Sequence, residues 1–119
     1  ITPSATSSKI LIQANFSGMQ GDYGGGFDIY RDSTFISQPT GYSSRTPIHT
    51  SAYKGENNAT NSYSASILDS PSSTSSITYA VYVNALSNTQ YYVNRSHDDT
   101  DTADRPRTIA TITVMEIGA

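Results

Sequence analysis

Apolar residues recur at every second position in several short stretches of the chain, and nowhere with a helical period. In "KILIQANFSG", Ile10, Ile12, Ala14 and Phe16 fall on one face, with Leu11, Gln13 and Asn15 on the other. This predicts a strand with one buried face. Gly24, Gly25 and Gly26 mark a loop or bulge. Phe27 to Tyr30 and Thr34 to Ile36 then predict a hairpin turning at Arg31, Asp32 and Ser33. From Ser37 to Asn61 the pattern weakens into a loop-rich middle, with at most a short strand near Tyr42 to Ile48. Alternation resumes at Tyr63, Ala65 and Ile67, stops at a turn over Asp69 to Ser73, and is clearest in "ITYAVYVNAL". There Ile77, Tyr79, Val81 and Val83 point inward and Thr78, Ala80 and Tyr82 outward. "TQYYVNRS" predicts a further strand, "HDDTDTADRPR" a polar acidic loop, and "TIATITVMEIGA" a closing strand.

Roughly six to eight short strands between turn signals predict an all-β sandwich or barrel. The closing strand is apolar on both sides, with Ile112 and Val114 on one and Met115 and Ile117 on the other. A strand covered on both faces lies deep in a core or between a core and a neighbouring subunit. The lead "ITPSATSS", residues 1–8, reads as an arm or linker, and residues 9–119 as a single domain. The first residue is Ile1 rather than Met, which reads as a piece of a longer polypeptide.

Composition narrows the function classes. Only 35% of the 119 residues are apolar, which allows one modest core and favours burial of further surface by self-association. Nine Tyr, three Phe and a charged fraction of 14% are unlike a disordered chain. The net charge of −3, without any run of Lys or Arg, offers little to a phosphate backbone, so nucleic acid is a poor partner. With no Cys there are no disulfides, thiol nucleophiles or zinc ribbons, and no apolar run is long enough to span a membrane as a helix.

Five stretches carry a resemblance: "ITPSATSSKILI", "YRDSTFI", "LDSPSSTSSITYAVYV", "YYVNRS" and "RTIATITVMEI". Together they resemble a domain at the C-terminal end of tail-fibre or virion structural proteins of marine and cyanobacterial phages. At fold level the chain is also similar to trimeric jelly-roll heads of the tumour necrosis factor and complement type, which share a closing strand of this form. The resemblance implies an antiparallel jelly-roll β-sandwich, a homotrimer, an upstream fibre segment and a place on the virion. It carries over no catalytic residues, and Gln38 to Asn61 match nothing in it. The implied function is a fibre head that binds a host-surface glycan, protein or outer-membrane component. Its rival is a purely structural capsid-decoration or fibre-capping module.

Candidate sites follow from residue type. Tyr23, Tyr42, Tyr53 and Tyr63 lie in or near the weakly patterned loops, and Tyr among Ser, Gly and Asn is the mix that binding loops favour. Tyr82, Ile112, Val114, Met115 and Ile117 are the candidates for core or trimer interface. Asp98, Asp99, Asp101 and Asp104 form an acidic cluster that could hold Ca²⁺, although it lacks the glycine and closing glutamate of an EF-hand. Arg95, Arg105 and Arg107 are placed to neutralise it as ion pairs instead. Glu116 either lies buried in the final strand and needs a partner, for which Arg95 is one candidate, or is simply exposed at the strand's end. No cofactor is expected beyond that cation. His49 and His97 stand alone, Asp22 and Asp28 flank a glycine turn, and no serine sits in a nucleophile elbow. A polysaccharide-cleaving enzyme is therefore the third and weakest reading.

Overall fold

The structure is a computed structural model that describes residues 1–20, 24–41, 43–52, 60–86 and 90–118. Eight strands follow in order: β1 (Lys9–Gln20), β2 (Gly25–Arg31), β3 (Thr34–Phe35), β4 (Thr50–Ala52), β5 (Asn61–Asp69), β6 (Tyr79–Ala85), β7 (Tyr91–Val93) and β8 (Thr111–Ile117). They form two antiparallel sheets packed as a β-sandwich, with no α-helix among the described residues.

In the first sheet β1 is central. It pairs β5 along one edge, from Ile10 opposite Asp69 to Gly18 opposite Asn61. Its other edge is shared by β8, from Lys9 opposite Ile117 to Asn15 opposite Thr111, and by β7 beyond it. In the second sheet β2 is central, with β6 on one edge and β3 and β4 sharing the other. The β2–β3 hairpin turns at Asp32, which takes a φ of 52° and accepts a hydrogen bond from Thr78 N.

Period two places the core. Ile10, Ile12, Ala14 and Phe16 of β1 meet Tyr63 and Ala65 of β5 and Phe27 and Ile29 of β2 between the sheets, all buried. Full burial of Ile10, Ile12 and Ile29 contributes about 1.5–3 kcal/mol each. Four rings knit one end of this core: Phe27 stands edge-on to Tyr91 at 4.9 Å and also contacts Phe16 and Tyr63. At the other end the sheets are tied by charge. Arg31 Nη1 donates to both oxygens of Asp69, at 3.0 and 2.9 Å, and the Tyr79 hydroxyl donates to Asp69 Oδ2 at 2.7 Å.

Three expectations need revision. The strand expected near Tyr42 to Ile48 is absent from residues 43–48, and the strand of this region is β4, at Thr50–Ala52. Residues 1–8 lie against the sandwich. Ile1 and Ile77 exchange two backbone hydrogen bonds, Pro3 is buried, and Ser4 reaches Glu116. Glu116 is paired with Ser4, not Arg95: the Ser4 amide and hydroxyl donate to its carboxylate at 2.7 and 2.6 Å. Those bonds, the hydroxyl's first, hold Glu116 below the usual carboxylate range.

Candidate functional site

The register assigns a face to each residue of β8. Ile112 and Val114 lie opposite Ala14 and Ile12 and point between the sheets, while Met115 and Ile117 lie opposite Leu11 and Lys9 and point outward. Val114 packs on the core. Ile112 has the same inward parity and stays 46% exposed. Val83 of β6, inward by alternation, is likewise 43% exposed, and Val93 of β7 is 42% exposed. Between them runs a cleft of about 310 Å³, floored by Phe16 and Phe27 and walled by Val81, Val83, Val93 and Ile112. It opens between the free edges of the two sheets. β6, which forms one lip, carries no charge and no proline, and its edge away from β2 has no strand partner among the described residues. Exposed edges in lone domains are usually blunted by charge, proline or a bulge.

A second apolar surface lies on the outer face of the first sheet. Leu68, Leu11 and Met115 stand side by side across β5, β1 and β8, with Ile117 next along. Leu68, Met115 and Ile117 are exposed.

The outer face of the second sheet is aromatic. Tyr30 of β2 stacks on Phe35 of β3, with ring centroids 5.4 Å apart and planes 13° from parallel. On its other side Tyr30 meets Tyr82 of β6 at 4.6 Å. Tyr82 is 52% exposed. Directly across from it lies Asp28, whose buried carboxylate accepts from His49 N and Asn84 Nδ2, each at 3.1 Å. Sequence reading passed over this row, although the signal was present: Tyr30 and Tyr82 have the opposite parity to Phe27, Ile29, Val81 and Val83. The only pairing cue was Tyr30 with Phe35, across the predicted hairpin.

Of the tyrosines expected at a receptor surface, Tyr23, Tyr42 and Tyr53 lie outside the described residues. Tyr63 belongs to the core and is 6% exposed, which corrects its reading as a loop contact. Alternation along β5 turns it inward, opposite Phe16, and its ring stacks on that phenylalanine at 5.5 Å. The hydroxyls of Tyr63 and Tyr91 are buried without a hydrogen-bond partner among the described residues. Burial, with the Tyr63 hydroxyl adding to it, pushes the Tyr91 phenol far above its usual range.

In the acidic loop, three of the four aspartates hold arginines. Arg105 bridges Asp98, at 3.1 Å, and Asp104. Asp99 pairs Arg107 at 2.7 Å and Arg95 at 3.5 Å. The Thr100 hydroxyl and amide, followed by Arg105, hold Asp98 below the usual carboxylate range, and Thr102 does the same for Asp104. Asp101 is exposed. The Arg95 guanidinium also lies 4.3 Å over the Tyr92 ring, with His97 edge-on to that ring at 5.2 Å. Among the described residues no three His, Cys, Asp or Glu side chains converge as a metal site requires.

No family model, curated protein or solved structure matches this chain.

Proposed function

We propose that this chain is the jelly-roll head of a virion fibre, which assembles as a homotrimer and binds a host-surface structure, glycan or outer-membrane component, without catalysing a reaction. The observation that carries the assembly half is the open cleft. Val83, Val93 and Ile112 have core parity and lack the cover that core residues have. A chain with so few apolar residues leaves three of them at one mouth, beside an unguarded edge strand. A second copy of the chain would extend the core across that mouth. The threefold number comes from the resemblance to trimeric heads. Tyr82, Met115 and Ile117 point away from the cleft and Val114 packs on the core, so Ile112 is the apolar residue of the closing strand that belongs to this contact.

Light scattering coupled to size exclusion tests the reading on the isolated chain. A trimer is expected, with Val83→Lys and Ile112→Lys each shifting it to monomer. A wild-type monomer at every concentration sinks the assembly half. The structural alternative, a capsid-decoration or capping module, draws on the outer row of Leu11, Leu68, Met115 and Ile117. That row is an aliphatic base without hydrogen-bonding atoms in its side chains, as a docking seat on other virion parts would be.

A further inference from the structure

The three exposed apolar surfaces differ in chemistry. The cleft and the outer face of the first sheet are predominantly aliphatic, suited to protein. The row of Phe35, Tyr30 and Tyr82 presents ring faces together with polar atoms. Neither the Tyr30 nor the Tyr82 hydroxyl makes a hydrogen bond among the described residues, so both can donate and accept. Beside them, Asp28 holds Asn84 by Nδ2, which fixes the amide plane and leaves Oδ1 without a protein donor among the described residues. Among the described residues no cation stacks on the row: the Arg31 guanidinium is turned between the sheets onto Asp69, and Arg95 covers Tyr92.

We infer that this row is a platform for a neutral saccharide. The inference rests on the receptor-binding half of the reading above and gives that receptor a site and a class. A pyranose ring has an apolar C–H face and a rim of hydroxyls. The faces would lie on the rings, where the negative π-surface attracts the polarised C–H groups. The rim would exchange hydrogen bonds with the two phenols and with Asn84 Oδ1. A row across three strands fits a run of sugar units better than a single ring would. An acidic sugar would call for a cation at the row itself, and none among the described residues contacts it. The same rings also stabilise the sheet as cross-strand pairs. That role, however, needs no half-exposed Tyr82 at the end of the row and no hydroxyls left without a partner among the described residues.

The test is electrophoresis of the full chain through native gels containing hydroxyethylcellulose, galactomannan, laminarin or dextran. At least one should retard the protein. Tyr82→Ala should weaken that retention roughly tenfold or more, the scale of losing one covered aromatic face, and Tyr82→Phe should keep most of it. Circular dichroism confirms that the variants fold, and light scattering on the same samples reports their assembly. No retardation by any of the four, or retardation that survives Tyr82→Ala, overturns the inference. So does a Tyr82→Ala variant that falls apart into monomers, since the row would then be a subunit contact. A monomeric wild type that still binds a polysaccharide would remove the fibre-head assembly and leave the platform standing.

Discussion

At the scale of single residues, the sandwich depends on a few polar groups whose partners are fixed. Arg31 and Asp69 form the sharpest case, since they join one sheet to the other and share Tyr79. Arg31→Ala leaves a shielded carboxylate with one phenol for company. We expect a loss of about 1–3 kcal/mol, below the value for a fully buried pair because the guanidinium keeps some solvent. Arg31→Met, which restores the stem's packing, should lose less, and urea titration would rank the two. Tyr91 makes a prediction of the opposite sign. Its hydroxyl is buried without a hydrogen-bond partner among the described residues, so Tyr91→Phe should stabilise the protein at neutral pH, by about 1 kcal/mol. Burial likewise pushes the Tyr79 phenol far up, helped by its bond to Asp69. Both folded-state values therefore lie above the unfolded one of about 10. The stability they contribute is complete below that pH and is lost as pH rises past it, because only the unfolded chain gives up the protons. Thermal melts should thus fall steeply on the alkaline side, and Tyr91→Phe should flatten the fall.

At the scale of elements, strand positions were readable and strand partners were not. The alternation of Ile10, Ile12, Ala14 and Phe16 located β1 and its buried face, and the same rule located β5, β6 and β8. The turn residues located the β2–β3 hairpin. Nothing in those patterns says that β1 carries β5 on one edge and both β7 and β8 on the other. Pairing depends on contacts across the chain, and period two is silent about them. The displaced β4 shows what else was hidden. Gly26 has no side chain, and a Cβ there would collide with the Thr50 carbonyl and the Ile48 side chain, so β4 can close on β2 only at a glycine. Gly18 has the same relation to the Tyr92 carbonyl and the Tyr91 ring. Gly26→Ala and Gly18→Ala should each destabilise by about 1–3 kcal/mol, through a forced backbone shift. Melting temperatures compared with a Gly118→Ala control, where a Cβ meets nothing, would show it. The aromatic row was missed for a related reason: its three rings come from three strands, and adjacency between β2 and β6 is a fact of topology.

At the scale of the whole molecule the shape is informative. The radius of gyration is 16.2 Å, against roughly 13–14 Å for a compact domain of this length. The extents of 49 × 36 × 17 Å describe a slab two sheets thick. A slab spends much of its surface on broad faces and open edges, which agrees with the exposed valines and isoleucine of the cleft. If copies cover that mouth, dilution should destabilise the protein, because folding and association are then linked. Melts across a hundredfold range of concentration should move upward with concentration for the wild type, and stay fixed for Ile112→Lys.

The seating of β8 against β1 has a mechanical side. Lys9 sits opposite Ile117, so the strand that leads into the sandwich and the strand that leads out are neighbours at the same end. Tension applied between those two residues would load one rung at a time and peel the pair apart like a zipper. Tension that enters at Lys9 and is resisted at the far end of β5 would instead pull along the strands, straining nine rungs together. The same slab is therefore weak to a pull that parts Lys9 from Ile117 and strong to a pull along its length.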